Sequence, residues 1–287
     1  MIQRILTGLM IVLIVSCQNE TPTQTLALGT YRAVLEVQDN ETLPFIFEVE
    51  ADNRLKIFNA EEVITVDEVE YRNDSVFIKA PVFEGYIAAT FEDNNLKGEF
   101  IKESLNRIVP FTAEYQNTSR FPTAVEATRD ATGIWQVTFS PREGDDKYSA
   151  KGIFKQNGNT VTGTFRTTTG DYRYLEGVMD GNTMKLSTFD GAHAFLFTAT
   201  VTDFTMNGMF YSGNYWKEAF VAIRNSTYEL PDANELTFLK DGYDTLAFEF
   251  PDENGNLISL EDERFQDKVV LVQIMGSWCP NCLDESK

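Results

Sequence analysis

The 287-residue chain is poor in cysteine, histidine and positive charge: three Cys, one His, and 24 Lys plus Arg against 44 Asp plus Glu, a formal charge of −20. The acidic balance argues against nucleic acid, whose phosphates require a basic face. A single histidine and three cysteines leave too few nitrogen and sulfur ligands for an ordinary zinc site. Only one long apolar run exists, near the amino terminus, so a multi-span membrane protein is excluded. Nothing in residues 29–225 reads as a long helix. Hydrophobic content of 43% and charged content of 24% are those of a folded chain rather than a disordered one, and the length suits about two domains.

The amino-terminal run, Ile5 to Ser16 behind Arg4, is too short and too weakly flanked for a span and fits a secretory signal. Ile14-Val15-Ser16-Cys17 resembles a bacterial lipobox. That resemblance implies cleavage after residue 16 and a lipid on Cys17. Residues 17–28 are polar and Pro/Thr-rich, as in a tether. The expected location is the cell envelope, membrane-anchored and facing an oxidising periplasm. Gln18 rather than Asp follows Cys17, which favours the outer membrane.

With Cys17 lipidated, Cys279 and Cys282 remain, separated by Pro280 and Asn281. Zinc needs four ligands and no second pair exists. Leu283, not His, follows the motif, so c-type haem is excluded. No cofactor or metal is expected. A redox dithiol or a plain structural disulfide is left. Upstream, Lys268-Val269-Val270-Leu271-Val272-Gln273-Ile274 reads as a strand buried on both faces. A strand, a short loop and a Cys-Pro-x-Cys helix start suit a redox dithiol. Pro280 is tolerated in a first helical turn, and the helix dipole favours a Cys279 thiolate.

Gly276-Ser277-Trp278-Cys279-Pro280-Asn281-Cys282, with Glu285 three residues on, and the upstream Phe250-Pro251-Asp252 and Lys268 to Leu271, resemble the TlpA-like thiol–disulfide oxidoreductases. The resemblance implies a thioredoxin-like α/β fold, with Cys279 as attacking and Cys282 as resolving thiol, supported by Trp278, Pro280 and Glu285. It also implies a disulfide-bearing protein substrate and a membrane-associated electron donor. Peroxiredoxins carry Thr where this chain has Gly276. Only the opening of that domain, residues 245–287, is covered, and the family's cis-proline has no counterpart. The polypeptide as written is therefore expected to be inactive, with the β domain as a binding module in the alternative reading.

Residues 29–225 alternate and are punctuated by turns such as Asn157-Gly158 and Asp180-Gly181, so the expected class is mainly β, a sandwich or barrel. Three matches recur in order: Gly29-Thr30-Tyr31 with Gly133-Ile134-Trp135, Phe83-Glu84-Gly85 with Phe189-Asp190-Gly191, and Leu96 to Phe100 with Met206 to Phe210. They suggest duplicated units at 29–115 and 133–225, joined by a connector at 116–132 and followed by a linker at 226–244. Asp74-Ser75-Val76 and Phe189 to Phe197 also resemble the amino-terminal module of Bacteroidetes TlpA-like lipoproteins. His193 beside Asp190 reads as a structural residue, because no nucleophile accompanies it. Asp252 to Asn256 reads as a hairpin turn rather than a calcium loop. Trp135, Trp216, Tyr172 and Tyr174 read as strand-borne core aromatics rather than a pocket.

Overall fold

A computed structural model describes residues 24–81, 84–142 and 144–276, with Cys282 and Ser286. Strands hold 52% of the chain and helical segments 7%, so the mainly β class is realised, in two barrel-like sheets.

The first sheet comprises β1 (Gly29–Glu36), β2 (Thr42–Val49), β3 (Leu55–Asn59), β4 (Glu62–Val66), β5 (Glu68–Arg72), β6 (Ser75–Lys79), β7 (Tyr86–Glu92), β8 (Asn95–Lys102) and β9 (Arg107–Tyr115). The second comprises β10 (Gly133–Phe139), β11 (Tyr148–Asn157), β12 (Thr160–Thr167), β13 (Gly170–Asp171), β14 (Leu175–Asp180), β15 (Thr183–Phe189), β16 (Ala194–Val201), β17 (Thr205–Ser212) and β18 (Trp216–Arg224). Both are antiparallel throughout. In each, the first strand pairs with both the second and the last, as β1 does with β2 and β9, and β10 with β11 and β18.

The sheets close differently. In the second, β12 pairs with β11 over Lys151↔Arg166 to Asn157↔Thr160 and also with β14, giving a continuous ring. In the first, β4 and β5 are the two ends of the pairing order and leave a seam.

Period-two alternation explains the interiors, because successive side chains point to opposite faces. Tyr31, Ala33 and Leu35 of β1 face inward, as do Trp135, Val137 and Phe139 of β10. The repeated residues occupy equivalent places. Gly29 and Gly133 open the first strands with φ of 123° and 120°. Tyr31 Oη accepts from the Ala27 N–H at 3.0 Å, and Trp135 Nε1 donates to the Ala131 carbonyl at 2.9 Å. Both reach back four residues, which ties each leading segment to its own sheet.

The second barrel is filled. Phe165 lies 4.6 Å from Phe197, and Phe197 lies 4.7 Å from Phe210, between ring centroids. The first sheet does not complete its core alone. Its hydrophobic cluster incorporates Phe189, Ala194, Leu196 and Tyr211 from the second. The Phe189 ring stacks on Phe45 at 4.2 Å and meets Phe100 edge-on at 5.0 Å. The turn between β15 and β16 thus plugs one mouth of the first sheet.

After Arg224 the described residues are mostly exposed and irregular. A small hairpin, β19 (Glu249–Pro251) and β20 (Leu257–Ser259), matches the turn expected at Asn254-Gly255, with Gly255 at φ 84°. The apolar run 268–274, expected as a buried strand, is not one. No described strand pairs with it, and Val269, Leu271 and Ile274 are 95% or more exposed. A parallel strand is stabilised by neighbours that bond its edges and cover its faces, and neither is present among the described residues.

Candidate functional site

The dithiol expected at Cys279 and Cys282 falls largely outside the described residues, as do Trp278, Pro280, Glu285, Cys17 and residues 1–16. Cys282 is described and is disulfide-bonded. Its backbone carbonyl accepts a hydrogen bond from Ser286 Oγ at 2.6 Å, a one-turn contact.

The best-formed polar cluster lies where the plug enters the first sheet. Asp190 is 1% exposed and organises the turn. Its Oδ1 accepts from the Ala192 and His193 backbone N–H groups at 2.8 and 2.6 Å. Its Oδ2 meets His193 Nδ1 at 2.8 Å and Arg173 Nε at 2.9 Å. Burial pushes the Asp190 carboxyl up, but the hydrogen bond from His193 and the charges of His193 and Arg173 outweigh it and hold it below the usual range. Arg173 also pairs with Glu62 of the first sheet at 2.6 Å. Gly191 turns the chain at φ 91°, in the left-handed region that glycine tolerates. A side chain at Gly85 would lie 2.2 Å from the Gly191 carbonyl, so the opposing surface needs glycine for the turn to seat. These contacts hold His193 in the turn, beside the Asp190 that the sequence places next to it.

The connector supplies a second rivet that sequence reading missed. Arg120 is buried and donates to the Phe58 carbonyl of β3, and to Ser187 O and Oγ of β15 at 3.1 Å each. Burial lowers its pKa to about 10, against the opposing pull of Glu176 3.7 Å away. Nothing in the local sequence marks it, because its acceptors are carbonyls distant in the chain.

The four aromatics weighed from sequence do not share one site. Trp135 is core, with the Arg224 guanidinium 4.2 Å from its ring centroid. Tyr174 lies at a separate surface cleft. Tyr172 and Trp216 meet a cluster at the mouth of the second barrel. Tyr148 Oη donates to Glu218 Oε1 at 2.8 Å and contacts Tyr172 Oη at 2.6 Å. Ser140 Oγ donates to Glu218 Oε2 at 2.7 Å, and Trp216 Nε1 lies 3.5 Å from Oε1. Glu218 is buried and forms no salt bridge among the described residues. Burial raises both phenols, Tyr172 to about 12 and Tyr148 further, so both remain protonated donors at neutral pH. The sequence signal for this cluster was weak, since Tyr148 and Glu218 are 70 residues apart.

No protein-family model, curated protein or solved structure matches this chain.

Proposed function

We propose that this protein is a lipid-anchored thiol–disulfide oxidoreductase of the cell envelope, acting through Cys279 and Cys282, with the duplicated β-barrel unit as a module carried beside the redox segment. The observation that carries the reading is the Trp278-Cys279-Pro280-Asn281-Cys282 motif, in a chain whose one other cysteine is in a lipobox-like context. The disulfide bond of Cys282 is compatible with it.

In the reductive direction, the Cys279 thiolate attacks a substrate disulfide. One S–S bond forms, the substrate's own S–S bond breaks, and one substrate thiolate departs. The Cys282 thiolate then attacks Cys279 Sγ and displaces the second substrate thiolate. Two electrons have moved, and the protein is left with a Cys279–Cys282 disulfide. A membrane-associated dithiol donor restores the reduced form.

The test is covalent trapping. Cys282→Ser should accumulate mixed disulfides through Cys279 that dithiothreitol releases, whereas Cys279→Ser should accumulate none. Equal adducts in both variants would sink the reading and leave a lipid-anchored binding protein with a vestigial redox segment. The polar mouth of the second barrel is what favours that alternative.

A further inference from the structure

The two sheets present the same end to different surroundings. Strand register makes the comparison residue by residue. Leu35 pairs with Leu43 and Phe111, and Phe139 pairs with Tyr148 and Phe220. Two residues before Phe111 stands Val109, and two before Phe220 stands Glu218. At this end the first sheet therefore holds Leu35, Leu43 and Val109, all buried, beneath the Phe189 plug. The second holds Phe139, Tyr148 and Glu218 beneath a cavity of about 760 Å³.

The fold alone does not call for the polar set. Burying a carboxylate and two phenols costs desolvation that the apolar trio avoids, and their mutual hydrogen bonds return only part of it. Among the described residues, no aromatic side chain of the first sheet stacks on this cluster as Phe189 stacks on Phe45. Instead, the segment following β18 runs past it, contributing Tyr228 to Pro231 to the wall. The volume lies in the range of small-molecule sites, roughly 300–1,000 Å³.

The wall selects among ligand classes. Ser149, Thr167, Thr168 and Thr169 bring hydroxyls, Asp171 a carboxylate, and Tyr172 a phenol and a ring edge. None of the described residues that line the cavity is Lys, Arg or His, and Lys151 beside it is already paired with Glu229, which disfavours a phosphate or carboxylate ligand. The carboxylates nearest the floor and the strap are already answered. Glu218 accepts from Tyr148 and Ser140, and Glu229 pairs with Lys151 at 2.7 Å. That weakens the pull on a cation. Hydroxyls that both donate and accept, beside a carboxylate and aromatic surface, suit a ligand that is itself a dense array of hydroxyls.

We propose that the mouth of the second barrel is a binding site for a neutral polyhydroxylated ligand, a saccharide, floored by Tyr148 and Tyr172, with Glu218 behind Tyr148 as its hydrogen-bond acceptor, and rimmed by Thr167 to Asp171. The assignment rests on the barrel alone and does not depend on the dithiol.

The test screens the whole chain against immobilised neutral glycans and titrates the best ligand calorimetrically, with spermidine and citrate as cationic and anionic probes. Binding of a neutral glycan with a Kd of about 1 mM or tighter is expected. Tyr172→Phe and Asp171→Asn should each weaken it at least about tenfold, or 1.4 kcal/mol. Thr168→Val, at an exposed rim position that cannot unfold the barrel, should weaken it measurably with an unchanged melting temperature. Three outcomes overturn the proposal: no neutral glycan bound at about 10 mM, affinity unmoved by all three variants, or tighter binding of spermidine or citrate.

Discussion

The two barrel-like sheets share the pairing of their first strand with both the second and the last, and differ in how they close and at one mouth. The first, left with a seam between β4 and β5, is stoppered by Phe189 and fixed by a buried ionic network. The second closes through β11 and β12 and keeps an open, hydroxyl-lined cavity. A sheet that closes its own hydrogen-bonded ring needs no neighbour to finish its core, so its end is free to carry polar chemistry. A sheet that stays open spends that end on docking.

The largest effect should come from removing the stopper. Phe189→Ala is expected to destabilise by about 3–5 kcal/mol, read by chemical denaturation, with the first sheet losing protection from hydrogen exchange before the second. Uniform loss across both sheets would show that the plug belongs to one indivisible core.

Arg120→Ala comes next, at about 3 kcal/mol or somewhat more, because it removes the guanidinium that donates to the Phe58 and Ser187 carbonyls and takes the counter-charge from Glu176. A loss below about 1 kcal/mol would mean that water replaces the guanidinium.

Acid should loosen the same joint. The folded Asp190 carboxyl is depressed, so its contribution is present above the unfolded value of about 3.9 and is lost as the pH falls through the folded one. Asp190→Asn should flatten that acid limb of the stability profile. An unchanged limb would assign it to other carboxylates.

The smallest change is expected from making the second mouth resemble the first. The double variant Tyr148→Leu and Glu218→Val should alter stability by no more than about 1 kcal/mol, since well-packed apolar groups commonly replace buried polar ones at little cost. It should abolish glycan binding. A loss of several kcal/mol would make the Tyr148–Tyr172–Glu218 cluster a structural necessity and not a device for ligands.

Much of the fold was legible. Alternation in segments such as Tyr31 to Val37 and Phe195 to Val201 marks strands because side chains on a pleated sheet point alternately in and out. The short matches at Gly29 and Gly133, and at Gly98 and Gly208, fall on equivalent strands. The apolar run at 268–274 misled. Its composition suits a buried strand, but composition cannot supply the partners that make one. Arg120 and Glu218 were illegible for a related reason. One sits in a polar connector and the other in an alternating strand, and only distant residues give either its meaning.

The sequence by itself determined the mainly β class, the hairpin turn at Asn254-Gly255 and the pairing of His193 with Asp190 three residues before it. These depend on contacts within a few residues, where chain connectivity brings the partners together. Tertiary structure decided which sheet closes, that Phe189 stoppers its neighbour, and that Tyr148, Tyr172 and Glu218 converge. Those outcomes depend on strand register across 24 to 144 residues of separation, a distance over which nothing in the local pattern fixes which side chains meet.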